Sequence, residues 1–248
     1  MSGAALARVR PILLVAFVAL LAACGDANDG ADAYGSRAVA FQASDGVDLD
    51  GRLFGDGTTA VVLAHMRPAD QRSWFGFADR LAGQGYLVLT FDFRGYCPGG
   101  EAGCSSGEVE ISELWRDVLG AIDLVRSEGA TNVALIGASM GGTASLVAAA
   151  QQGTDVEAVV TLSAPISIEG LAADGTLLQQ VSANKLFIAG VGDGAAAADA
   201  EELYAISPPP KRVEIVPADD HGTDLLTGPQ GEVVRRTIET YLAQFAPA

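Results

Sequence analysis

Short apolar runs recur along this chain, separated by longer stretches whose apolar residues return every three or four positions. The first pattern belongs to strands buried on both faces, the second to amphipathic helices. Two segments near the start, Ala38–Ala43 and Val47–Phe54, flank an Asp45-Gly46 turn and predict an antiparallel pair. Ala60–Ala64 then reads as a buried strand, Trp74–Gly83 as a helix and Tyr86–Phe91 as a strand. Ile111–Ser127 carries Leu114, Val118, Ile122 and Val125 at helical spacing. Val133–Ile136 reads as a strand, Gly142–Ala150 as a helix of small residues and Val156–Leu162 as a strand. Ile168–Val181 reads as a helix, Leu186–Ala189 as a strand and Ala195–Ile206 as a helix. Arg212–Val216 is the last strand and Gln230–Phe245 a closing helix. Two antiparallel strands followed by repeated strand–helix units predict an α/β fold, a mostly parallel sheet with helices on both faces. Ligands of such sheets bind beyond the carboxyl ends of the strands.

The N-terminus adds an address. Arg8 and Arg10 precede an apolar stretch, Ile12–Ala23, that ends in Leu21-Ala22-Ala23-Cys24-Gly25. A basic start, a short apolar segment and small residues at its end describe a secretory signal, too short for a comfortable membrane span. The L-A-A-C ending resembles the lipobox of bacterial lipoproteins, in which cleavage leaves Cys24 as the lipidated first residue. A plain secretory signal that happens to end near a cysteine is the alternative. The expected organisation is a signal peptide over 1–23, a polar Gly/Asp-rich tether over 24–36 and one domain over 37–248. The expected location is extracytoplasmic, anchored to a bacterial membrane through Cys24.

Charge narrows the partners. The whole chain has a net charge of −16, and without its first 23 residues it keeps 13 basic against 31 acidic residues. That balance disfavours nucleic acid and anionic headgroups as ligands. Cys97 and Cys104 lie seven apart in a Pro/Gly-rich loop, CPGGEAGC, and in an exported protein such a pair reads as a disulfide. A metal site is the weaker reading, because no histidine lies near.

The chemistry gathers on Asn132–Gly142, NVALIGASMGG. A buried strand, then Gly137-Ala138-Ser139-Met140-Gly141, then a helix is the context of a nucleophile elbow. A second G-x-S-x-G, Gly103–Gly107, follows no apolar run and starts no helix, so it reads as a loop. A serine hydroxyl needs a base, and the chain has two histidines, His65 and His221. His221 lies just past the last strand. The base in turn needs a carboxylate, and Asp193 lies a few residues past the strand at Leu186–Ala189. Asp219, Asp220 and Asp224 are rivals close to His221, but so short a turn hampers pointing a carboxylate back at the ring.

The elbow, the L-x-I-x-G-x-x-D segment ending at Asp193 and the Asp220-His221-Gly222 segment together resemble serine α/β-hydrolases of the esterase and dienelactone hydrolase kind. Phe91-Asp92-Phe93-Arg94-Gly95-Tyr96 is similar to the D-x-R-G-x-G stretch of that family. The resemblance runs from about residue 38 to the end and implies an α/β-hydrolase fold. It implies Ser139 as nucleophile, His221 as base, Asp193 as its orienting acid, and the backbone amides of Met140 and Arg67 as the oxyanion hole. The family usually has His-Gly where this chain has His65-Met66-Arg67, which narrows the backbone at the second donor. His65 reads as a hydrogen-bonded organiser of that loop, and Asp92 as a brace. Arg67, Arg72 and Arg94 read as solvated surface residues or as cations at the mouth of the site.

Only 23 residues separate Leu162 from Leu186, too few for an inserted helical lid. The site should therefore be open and suit short or soluble acyl groups. The expected activity is hydrolysis of an ester-type small molecule through an acyl-enzyme, with no cofactor and no metal. A peptidase, a thioesterase or a perhydrolase would use the same residues, and a non-catalytic surface lipoprotein on the same scaffold is the reading from another class.

Overall fold

The computed structural model describes Met1 and residues 34–96, 104–151 and 154–248. The signal-like segment, Cys24, most of the 24–36 tether and Cys97 lie outside the described residues. Strand β1 (Arg37–Gln42) pairs antiparallel with β2 (Asp48–Phe54), Arg37 opposite Leu53 and Gln42 opposite Asp48. The other sheet strands are β3 (Thr59–Ala64), β4 (Leu87–Phe91), β5 (Asn132–Ala138), β6 (Ala158–Leu162), β9 (Asn184–Gly190) and β10 (Lys211–Val216). Among the described residues these form an eight-stranded sheet in the order β1-β2-β4-β3-β5-β6-β9-β10, parallel from β4 onward.

The inner strands are apolar throughout because both faces are covered. In β3, Ala60, Val62 and Ala64 enter one core while Val61 and Leu63 enter the other, the period of two that a strand imposes. The first core is closed by α2 (Leu114–Ser127), α3 (Met140–Ala149) and α5 (Ala196–Ile206), through residues such as Val118, Ala144 and Leu203. The second is closed by α1 (Phe75–Ala82) and α6 (Gly231–Phe245), through Leu81, Ile238 and Leu242. Every residue of α3 is buried, which its run of Gly, Ala, Ser and Thr permits.

One expected element is absent. Ile168–Val181 is not a helix but a hairpin, β7 (Ser167–Ile168) with β8 (Leu171–Ala172), followed by the one-turn α4 (Gly175–Leu178). Glu169 and Gly170 both take positive φ, 44° and 88°, and turn the chain back on itself. Asp174 then starts α4 by accepting from the amides of Thr176 and Leu177, both at 2.9 Å. No lid domain is inserted between β6 and β9, so the carboxyl edge carries only these short pieces.

Candidate active site

Ser139 sits between β5 and α3 with φ 49° and ψ −122°, outside the ordinary regions for a residue with a side chain. The turn is held from several sides. The Ser139 amide donates to Leu162 O at 2.8 Å, and Ser139 O accepts from the amides of Gly142 at 2.9 Å and Thr143 at 3.2 Å. The glycines around it are obligatory: a Cβ on Gly137 would lie 2.2 Å from Gly141 O, and one on Gly141 would lie 2.5 Å from Ala64 O. The Ser139 side chain makes no capping bond to α3, so its hydroxyl is not spent on the helix.

Asp193 and His221 follow β9 and β10, so all three residues stand beyond the carboxyl edge of the sheet, Ser139 after β5 and one strand, β6, away from β9. His221 Nδ1 lies 2.9 Å from each oxygen of Asp193. The carboxylate can only accept, so Nδ1 carries the proton and donates, which leaves the Nε2 lone pair open to a proton. The Asp193 side chain is 12% exposed and that of His221 41%. Of the rival carboxylates, Asp219 lies against Gly192 and Asp220 against Gly228, and the carboxylate bonded to His221 Nδ1 is that of Asp193. The chain leaves His221 through Gly222, at φ 55°, whose amide donates to Ser163 Oγ at 3.1 Å.

His65 is fully buried at the end of β3. Its Nδ1 donates to Met66 O at 2.8 Å, and its Nε2 accepts from the Phe93 amide at 3.1 Å. Burial pushes its pKa down to about 4, so it is neutral, and it links the loop after β3 to the loop after β4. Met66 packs over Gly222, where a Cβ would come within 2.5 Å of its sulfur. Met140, at the first position of α3, presents one of the amides that a helix leaves unbonded, at the positive end of its dipole. Arg67 is exposed, and its guanidinium donates to Glu169 of the β7–β8 hairpin at 2.6 Å.

Residues 59–204 match the model of the alpha/beta hydrolase fold family, more than half of the chain. The chain belongs to the alpha/beta hydrolase fold family. No curated protein sequence matches it. Among solved structures it resembles the Pyrococcus furiosus esterase Pf2001, at 16% identity over 86% of this chain and 95% of that one, TM-score 0.72. It also resembles a dienelactone hydrolase from Anabaena variabilis, at 23% identity over 85% and 97%, TM-score 0.69. An esterase from Exiguobacterium antarcticum aligns at 16% identity over 82% and 98%, TM-score 0.64. At these identities the likeness speaks for the fold.

Several further residues take parts that the sequence does not announce. Arg94 is neither a solvated cation nor a residue of the mouth. Its side chain is 5% exposed and bonds to Asp117 Oδ1 from Nε at 2.8 Å and from an NH2 group at 2.6 Å, and to both oxygens of Asp45 at 3.0 Å. Asp92 accepts from the Gln71 amide at 2.9 Å and from Gln71 Nε2 at 2.8 Å, and burial pushes its pKa up to about 7. Arg72 pairs with Asp70 at 2.7 Å on the surface. Ser105, centre of the second G-x-S-x-G, is buried, donates to Asp92 O and accepts from the Asp50 amide at 3.0 Å. Cys104 is half-buried and is not a free thiol. Among the described residues no group of three or more His, Cys, Asp or Glu is arranged to hold a metal ion.

Proposed function

We propose that this chain is a serine hydrolase that cleaves an ester-type small molecule with a short acyl group. The observation that carries the reading is the His221–Asp193 pair, 2.9 Å to both carboxylate oxygens, at the same sheet edge as a serine in a strained elbow. Ser139 Oγ attacks the carbonyl carbon while His221 Nε2 takes its proton. The amides of Met140 and Arg67 hold the oxyanion. The tetrahedral intermediate collapses as His221 returns the proton to the leaving alkoxide, giving an alcohol and the acyl-enzyme. A water, deprotonated by His221 in its turn, then attacks the acyl carbon; the bond to Ser139 Oγ breaks, His221 returns the proton to Oγ and the acid leaves. No cofactor or metal enters this cycle.

Two of the structural neighbours are named esterases and a third a dienelactone hydrolase, which favours ester-type over amide substrates. The absence of a lid domain between β6 and β9 favours small, accessible acyl groups. Export as a lipoprotein anchored at Cys24 belongs to the same proposal, on the strength of the L-A-A-C ending and the polar stretch after it. A disulfide between Cys97 and Cys104 fits that compartment.

Turnover of p-nitrophenyl esters from acetate to dodecanoate, by the wild type and by Ser139→Ala, tests the reading. The expected result is activity that falls with chain length and disappears in the variant. Equal activity in the two proteins would contradict it.

A further inference from the structure

Three hydrogen bonds converge on two consecutive residues at the end of β6. The Ser139 amide donates to Leu162 O at 2.8 Å, and the Ser163 amide donates to Ile188 O of β9 at 2.8 Å. The amide of Gly222, the residue after His221, donates to Ser163 Oγ at 3.1 Å. Leu162-Ser163 therefore joins the nucleophile turn, the strand that leads to Asp193 and the loop that carries His221. The first two bonds use backbone groups that almost any residue would supply. The third needs a side-chain acceptor at position 163.

Ser163 is 1% exposed and sits at φ 53°, a left-handed conformation that aims its side chain where an ordinary strand residue would not. The Gly222 amide shares its peptide plane with the His221 carbonyl, so holding that amide restrains the ψ of His221 and the placement of the Cα–Cβ bond from which the imidazole projects. The ring needs such a restraint. It is 41% exposed, and its bonds to Asp193 reach a single nitrogen.

We infer that Ser163 is a positioning residue for His221, its hydroxyl locking the His221–Gly222 peptide so that the imidazole stays aligned between Asp193 and Ser139. The inference rests on the triad reading given above. It concerns geometry at the base, not contact with substrate.

The test uses the purified protein with Ser163→Ala and Ser163→Cys, beside Ser139→Ala and His221→Ala. Three quantities are read: kcat and KM for p-nitrophenyl acetate, the melting temperature, and the downfield imidazole N–H proton resonance of His221. With two histidines in the chain, His221→Ala assigns that resonance. In Ser163→Ala, kcat should fall about 10- to 100-fold with KM little changed, as misplacement of a catalytic group does. The His221 resonance should broaden through faster exchange with water, and Ser163→Cys, a weaker acceptor, should fall between. Wild-type kcat with an unchanged resonance would overturn the inference. So would failure of both Ser163 variants to fold, or a loss of kcat explained by lost folded protein. If the wild type is active, Ser139→Ala and His221→Ala are dead and Ser163→Ala is normal, the positioning role alone is wrong. If the wild type is inactive, the resonance still reports whether Ser163 holds the His221–Asp193 pair.

Discussion

Asp193 fixes which nitrogen of His221 carries the proton, and that choice is the centre of the chemistry proposed for this site. An amide at position 193 would present its NH2 group to Nδ1 and favour the opposite tautomer, turning Nε2 from acceptor into donor. Asp193→Asn should therefore lower kcat by about 10³- to 10⁴-fold while the fold is kept. A loss under tenfold in steady-state kinetics would contradict that role. The nearby pair His65 and Asp92, with Nε2 and Oδ1 4.0 Å apart, makes a separate prediction. His65 resists protonation in the folded state, about 4 against an ordinary 6.5, so its contribution to stability is present above 6.5 and lost as pH falls toward 4. Asp92 works the other way. Its folded pKa of about 7 lies above the ordinary 3.8, so stability is lost as pH rises through that interval. The two oppose each other over nearly the same range. Asp92→Asn removes one and unmasks the other: its urea midpoint should fall more steeply than the wild type's between pH 6.5 and 4. Parallel profiles would refute this.

At the scale of elements, the buried Arg94 network ties three pieces together. Arg94 follows β4, Asp45 lies in the β1–β2 turn and Asp117 in α2. Asp117 is fully buried, and burial pushes its pKa up, which the bonds from Arg94 oppose. Removing one partner strands a charge in the interior, so Asp117→Ala should destabilise the protein by about 3–5 kcal/mol in urea unfolding. A cost below about 1 kcal/mol would show that the charge finds other partners or water. The sequence made Arg94 look like a surface cation because its partners lie 23 and 49 residues away, and no local pattern marks such a contact. Strands were legible because burial on both faces leaves uninterrupted apolar runs. Most boundaries agree to within about two residues, with Ile111–Glu113 forming a 3-10 turn that leads into α2. Ile168–Val181 reads as a helix because Ile168, Leu171, Leu178 and Val181 fit a helical period, while the positive φ of Glu169 and Gly170 decides for a hairpin. For the candidate site, Ser139 was legible from a local motif, and Asp193 and His221 from their places after strands. Ser163 was not, because its bond to Gly222 crosses 59 residues and needs only a hydroxyl in a left-handed turn.

Across the whole molecule, the parallel sheet sets Ser139, Asp193 and His221 on one edge, and the antiparallel β1–β2 pair extends the opposite side of the sheet away from them. The acidic excess, a net charge of −16, makes the field of the molecule unfavourable to polyanions and compatible with neutral or cationic small molecules. The central proposal is that Ser139 is a nucleophile activated by His221. Labelling the native protein with a fluorophosphonate and mapping the modified peptide tests it most directly. A single adduct on Ser139, lost in Ser139→Ala and slowed at least about 100-fold in His221→Ala, is the predicted result. A folded wild type that takes no label, or takes it on another residue, would contradict the proposal.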